Sequence, residues 1–231
     1  HYDETYAPVA SWSTIRLILA LVATFNWHTV QLDYVQAYSQ APVERELYME
    51  IPRGFQIKGK KSSEEYVLKL HGNIYGQKQA GRVWYKHLTK GLIKKVGFTQ
   101  SKIDECIFYK GKSIYVLYTD DSILTGPDKQ ELDQIVKDIQ QAKLNITMEG
   151  EVTSFLGFTI DRQSDGIIKF SQPLLIKKIL KALSFKENTK TKKIPMSSTT
   201  KLLSHKESPK FDNSFNYRSI IGMLNYLDAG S

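Results

Sequence analysis

Apolar residues at Ile15, Ile18, Leu19 and Val22 recur at the i, i+3, i+4, i+7 spacing of one helical face, with Ser13 before them as the expected N-cap. After Asn26 and Trp27 the period changes. Residues 29–32 alternate, with Val30 and Leu32 on one side, and lead directly into Asp33, which is therefore expected at a strand end. Alternation returns over residues 46–51 through Leu47, Met49 and Ile51, and stops at Pro52-Arg53-Gly54. A lysine-rich stretch, residues 58–65, leads to Tyr66-Val67-Leu68. Residues 79–96 then predict a helix with Trp84, Leu88 and Leu92 inward and Lys86, Lys90, Lys94 and Lys95 outward.

Residues 106–109 and 114–118 are aromatic and β-branched and flank Lys110-Gly111-Lys112, which predicts a hairpin. A third strand, residues 122–125, follows after only Thr119-Asp120-Asp121, so both carboxylates are expected in a tight turn between antiparallel strands. Asp128 with Glu131 reads as a capping pair for a helix built on Leu132, Ile135, Val136 and Ile139. Residues 155–160 and 167–170 predict paired strands around Ser164-Asp165-Gly166, and Ser171-Gln172-Pro173 opens a helix with Leu175, Ile179 and Leu183. Residues 186–210, rich in Lys, Ser and Thr with almost no period, read as a surface connection before a last helix at 217–227. No internal repeat is visible. Helices mixed with antiparallel hairpins predict an α+β fold rather than a parallel sheet.

Composition adds a partner to this picture. The 231 residues carry a formal charge of +8, which favours an anionic partner such as nucleic acid, although a solvated basic face gives the same number. Cys106 is the single cysteine, so an internal disulfide and a thiolate zinc cluster are both excluded, as suits a reducing compartment. The longest apolar run, residues 15–23 with Arg16 inside it, is far shorter than the roughly 20 residues that cross a bilayer. A soluble, non-secreted protein with no membrane partner is expected.

Asp33 and the Asp120-Asp121 pair are the sharpest chemical feature. Three converging carboxylates hold two divalent cations about 3.5–4 Å apart, the arrangement that stabilises attacking and leaving oxygens in phosphoryl transfer. Mg2+ suits such a site because it takes a few carboxylates together with substrate phosphate oxygens. The same residues are also ordinary solvated turn chemistry, so spacing alone leaves both readings open. The rigid aromatic strand Tyr115-Val116-Leu117-Tyr118 leading into the pair favours a preorganised site.

Tyr118-Thr119-Asp120-Asp121 resembles the Tyr-x-Asp-Asp box of reverse transcriptases, and Gln31-Leu32-Asp33 with Ala37-Tyr38 resembles their first palm motif. Further segments resemble the copia-type retrotransposon enzymes in the same order: Asp3 to Ala10, Thr14-Ile15-Arg16-Leu17, Leu47-Tyr48-Met49 with Pro52-Arg53-Gly54-Phe55, and Ile74-Tyr75-Gly76-Gln77-Lys78-Gln79-Ala80. Phe155-Leu156-Gly157, Tyr217-Arg218-Ser219 and Gly222 to Leu227 complete a series covering nearly the whole chain.

The resemblance implies a right-hand polymerase, with partial fingers and palm over residues 1–160 and a helical thumb over 161–231. It implies RNA-directed DNA synthesis from deoxynucleoside triphosphates on an RNA template, with a DNA or tRNA primer. Asp33, Asp120 and Asp121 would be the catalytic ligands of two Mg2+ ions, with Mn2+ as a substitute. Tyr38 would lie under the sugar and exclude a ribose 2′-hydroxyl, an ordinary core tyrosine being the alternative. Tyr75, Gly76 and Gln79 would line the nucleotide. Lys78 and Arg82, Tyr118 and Thr119, and the Phe155-Leu156-Gly157 turn would meet primer or template, and the lysines of residues 171–193 would lie along the duplex.

Thr119 stands where the family usually has valine, and Gly81 where it usually has proline; neither change removes a ligand. Family members also carry a Lys-x-Arg-Leu-Val finger segment upstream, and the polymerase is normally fused to ribonuclease H and integrase regions. The resemblance therefore implies a polyprotein fragment, found in a cytoplasmic retrotransposon particle. Two rival readings remain at this stage: a non-catalytic nucleic-acid-binding remnant of the same fold, and a two-metal nuclease, which leaves Tyr38 and Tyr75-Gly76 without a role.

Overall fold

The computed structural model describes residues 4–55, 66–186, 188–194, 211 and 213–229. Helix α1 (Trp12–Phe25) is followed by strand β1 (His28–Tyr34), the one-turn helix α2 (Ala37–Gln40) and the paired strands β2 (Tyr48–Glu50) and β3 (Val67–Lys69). Helix α3 (Ala80–Gly91) continues as a π turn, Leu92–Val96, before strands β4 (Thr99–Gln100), β5 (Ile107–Lys110), β6 (Ser113–Tyr118) and β7 (Asp121–Gly126). Helix α4 (Lys129–Gln141) and strands β8 (Ile146–Gly150), β9 (Ser154–Phe155), β10 (Phe158–Arg162) and β11 (Ile168–Ser171) come next. Helices α5 (Pro173–Ala182) and α6 (Tyr217–Ala229) end the order, a mixture of helices and antiparallel sheet of the expected α+β class.

The first helix begins earlier than its apolar stripe suggested. Ser11, not Ser13, is the cap: its side chain accepts from the Thr14 N–H and its carbonyl takes the Ile15 N–H. A cap must stand a full turn ahead of the residues it anchors, and the first buried residue of the stripe is Ile15. Ile15, Ile18, Leu19 and Val22 are buried as expected, so truncating Ile15, Ile18 or Leu19 to alanine costs about 2–5 kcal/mol.

Six strands form one sheet in the order β4-β5-β6-β7-β1-β8, with every neighbouring pair antiparallel. This makes β1 an interior strand, and residues 29–32 are buried without a break instead of alternating. β8 is the strand that the sequence hid, because only Ile146 of its five residues is buried and an edge strand with so little pattern has no apolar signature. Asp33 is also one residue inside its strand rather than at the end, since Tyr34 still pairs with Ile146. The strand expected over residues 155–160 breaks at Leu156 and Gly157, both at positive φ (50° and 76°), which turn the chain from β9 into β10. The surface connection expected over 186–210 falls mostly outside the described residues, and the lysine-rich stretch 58–65 entirely so.

Strand alternation sends Val30, Leu32 and Tyr34 to one face of the sheet and Thr29, Gln31 and Asp33 to the other. The first face is covered by helices: the Tyr34 ring meets Trp84 of α3 edge-on at 5.0 Å, and Leu132, Ile135, Val136 and Ile139 form the buried stripe of α4. On the second face α1 lies over the Thr29 end, where Leu19, Val22 and Thr29 line a cavity of about 190 Å³. Asp33 sits at the opposite end of β1, half-buried.

The chain divides into two compact units, His1–Leu156 with Ile160–Lys169, and Gly157–Thr159 with Phe170–Ser231. The first contains the six-stranded sheet. In the second, α5 packs on α6 and Phe158 stacks on Phe170 with ring centres 4.1 Å apart.

Candidate active site

β6 and β7 are joined by just Thr119 and Asp120, because Tyr118 and Asp121 are already ladder partners. Asp121 is therefore a strand residue and Asp120 alone lies in the turn, which refines the expected Asp-Asp turn. A two-residue link between twisted antiparallel strands needs left-handed backbone, and Thr119 supplies it at φ 59°. A β-branched residue is strained there by about 1–3 kcal/mol, so neighbouring structure must hold it. The Trp84 indole N–H does so in part, donating to the Thr119 carbonyl at 2.8 Å.

The register then sets Asp33 and Asp121 side by side on neighbouring strands. Asp121 on β7 is the direct partner of Asp33 on β1, and such partners have Cα atoms about 4.5–5.5 Å apart. One step along, the Ser122 hydroxyl donates to the Leu32 carbonyl at 3.1 Å and fixes this register. Burial first, and then the charges of Asp120, Asp33 and Glu149, push the Asp121 carboxyl up to about 6. Glu149 escaped the sequence reading because β8 did. The β1–β8 register slips between Gln31, paired with Gly150, and Leu32, paired with Met148, which leaves Glu149 as a bulge beside the cluster.

Hard oxygen donors whose charge is mutually disfavoured are the donor set that Mg2+ suits, so these residues fit the expected cation in kind. Their side chains are not closed around one: among the described residues, no group of three or more His, Cys, Asp or Glu is set to hold a metal ion.

Two tyrosines flank the acids. The Tyr75 hydroxyl donates to Asp120 Oδ2 across a long 3.5 Å, and its ring lies 4.5 Å from that of Tyr38. Burial and the Asp120 charge raise the pKa of both phenols. Tyr38 is carried by α2, an element the sequence did not announce, entered through Gln36 in left-handed backbone. Gly76 follows Tyr75 at φ 94°, and a Cβ there would meet no atom within 4 Å, so the glycine is required by the turn and not by close packing.

Other expected contacts stand differently. Gln79 is the half-buried N-cap residue of α3 but makes no side-chain cap bond, and Lys78 is exposed. Arg82 is paired with Glu44 and its side chain is only 15% exposed. Leu156 and Gly157 form the β9–β10 turn, directly after Phe155, the buried last residue of β9. A cleft of about 470 Å³ lies away from the acids, between α4 and β8, with Val30, Val136 and Met148 in its lining.

Residues 1–198 match the family described as reverse transcriptase (RNA-dependent DNA polymerase). The chain is 31% identical over 207 residues to the retrovirus-related Pol polyprotein from transposon TNT 1-94 of Nicotiana tabacum, covering 87% of this chain and 15% of that protein. It is 34% identical over 230 residues to the Pol polyprotein from transposon RE2 of Arabidopsis thaliana, covering 98% and 15%. The transposon Ty1-BL Gag-Pol polyprotein of Saccharomyces cerevisiae is 26% identical over 183 residues, 77% of this chain and 9% of that one. The chain thus spans about 15% of the length of the plant relatives, which fit the copia-type resemblance of its motifs. With its match running from residue 1 to 198, the chain belongs to the reverse transcriptase family, as a reverse transcriptase domain of the retrotransposon Pol type.

Proposed function

We propose that this chain carries a polymerase centre that copies an RNA template by adding deoxynucleotides to a primer, with Asp33, Asp120 and Asp121 as the ligands of two Mg2+ ions. The observation that carries the proposal is the register: Asp33 and Asp121 are ladder partners, and Asp120 occupies the turn that leads into β7. A family member with its acids so arranged has the ligand types that phosphoryl transfer needs around one phosphate. When bound, the metal ions supply Lewis acidity toward the primer 3′-hydroxyl and the triphosphate. In the reaction the 3′-oxygen forms a bond to the α-phosphorus and the bond to pyrophosphate breaks.

The protein's own part is to bind and orient. Asp33 is fixed by an interior strand and Asp120 by a turn only two residues long, so neither has to be recruited when substrate arrives. The Tyr38 ring, beside Tyr75 and near Asp120, is assigned the sugar gate, where a 2′-hydroxyl meets the ring. Tyr75 and Gly76 line the nucleotide, with Gln79 beside them. Lys78, Tyr118, Thr119 and the Phe155-Leu156-Gly157 turn are assigned to primer and template. Arg82 is assigned a supporting role through Glu44.

Residues 1–160 are read as palm and partial fingers and 161–231 as thumb, whose lysines bind phosphate without reading sequence. Fusion to ribonuclease H and integrase regions, and a cytoplasmic particle as the site of action, belong to the same proposal. Primer extension with Mg2+ on an RNA template tests it: template-dependent DNA product is expected, and cleavage of nucleic acid without added nucleotides would favour a nuclease instead.

A further inference from the structure

We infer that Trp84 is a positioning residue for the carboxylate turn, acting through the hydrogen bond from its indole N–H to the Thr119 carbonyl; the inference rests on the polymerase reading above. Trp84 is 1% exposed, whereas Trp12 and Trp27 are both half-buried. The indole has one polar atom. In a buried setting that N–H needs a partner, and it finds one 35 residues away in the chain, at 2.8 Å, on the backbone between Tyr118 and Asp120.

The same ring reaches the other half of the site. It packs edge-on against Tyr34, the residue directly after Asp33 on β1, with centroids 5.0 Å apart. Tyr34 in turn shares a buried 2.7 Å hydrogen bond with Tyr115 of β6, the strand that runs into the turn. One side chain of α3 therefore touches the strand that holds Asp33 and the turn that holds Asp120. It does so from the helix-covered face of the sheet, behind the acids. A β-branched Thr119 at φ 59° gives that turn reason to relax if the bond is lost. The sequence assigns Trp84 to the core by its helical spacing; the structure adds where its single donor goes.

The test replaces the Trp84 indole with benzothiophene, which puts sulfur in place of the N–H and keeps the ring shape, with Trp84→Phe as a second donor-free variant. Metal affinity is read without substrate, by titrating Mn2+ and following its electron paramagnetic resonance signal. Rate is read per active site by single-turnover primer extension. The expected result is a folded protein with Mn2+ affinity weaker by about 5-fold or more. Extension should be slower by about 10- to 100-fold, as misplacement of reacting groups costs, with nucleotide KM changed less than about 2-fold. A core-packing role alone would lower the melting temperature and leave per-site rate and Mn2+ affinity at wild-type values, and that result overturns the inference. If the wild-type chain neither binds Mn2+ nor extends a primer, the polymerase reading falls, and the positioning role with it. If the wild type does both and the benzothiophene protein equals it, the positioning role alone is wrong.

Discussion

Asp33 and Asp121 face each other as ladder partners across β1 and β7. Like charges directly opposite in a sheet repel, by about 1 kcal/mol at 5 Å in water and about 3 kcal/mol at an effective dielectric near 20. Burial first, and then the neighbouring carboxylates, raise the pKa of the half-buried Asp121 to about 6, so the fold holds its charge at a cost. With the folded value above the ordinary one of 3.8, the group's stabilising contribution is full below about pH 4 and lost as pH rises through about 6. Asp121→Asn is therefore expected to stabilise the metal-free protein at about pH 7 by about 1 kcal/mol, after discounting for solvent screening, while extension is lost. Urea unfolding with chelator present measures it. A variant no more stable than wild type at that pH contradicts the electrostatic account of the cluster.

The sugar gate gives a second prediction. The Tyr38 ring lies tilted against Tyr75 and feels the Asp120 charge, so it borders the proposed nucleotide cavity. Tyr38→Val should raise ribonucleotide use relative to deoxynucleotide use by about tenfold, equal to about 1.4 kcal/mol of removed clash, with DNA synthesis reduced but present. Competition between the two nucleotide types in extension reactions reads the ratio. An unchanged ratio in an active variant makes Tyr38 a packing residue.

Cys106 tests the core independently of catalysis. The thiol is fully buried ahead of β5, and burial with the nearby Asp104 and Glu105 charges pushes its pKa up to about 12. A thiol is a poor nucleophile when it is so rarely ionised. Iodoacetamide should leave Cys106 unmodified in the folded protein at about pH 8 and label it after denaturation. Rapid labelling of the native chain would contradict the packing around β5 and β6.

Much of this site was legible in the sequence because two strong local signals flanked it. The aromatic run Tyr115-Val116-Leu117-Tyr118 and the three-residue gap before Ser122 predicted a hairpin at Asp120, and the hairpin is there. What local patterns do not encode is register between distant segments. Nothing near Asp33 says that Asp121, 88 residues later, will be its partner rather than Asp120; that follows from the ladder starting at His28 opposite Gly126. β8 and its Glu149 bulge were invisible for another reason, since an exposed edge strand carries no apolar alternation. Trp84 illustrates a third limit: helical spacing reports that a ring is buried but not what its N–H bonds to.

Asp120→Asn in a primer-extension assay tests most directly whether these carboxylates hold the metal ions of nucleotidyl transfer. Asp120 sits in a turn, half-buried, and its side chain supports no strand pairing, so the substitution should leave the fold intact. Primer–template affinity, which comes mainly from basic contacts to phosphate, should stay within about 3-fold of wild type. Extension with Mg2+ should fall by about 1,000-fold or more. Extension retained near the wild-type rate, or lost only in step with primer–template binding, would contradict the assignment and make Asp120 a residue of the turn alone.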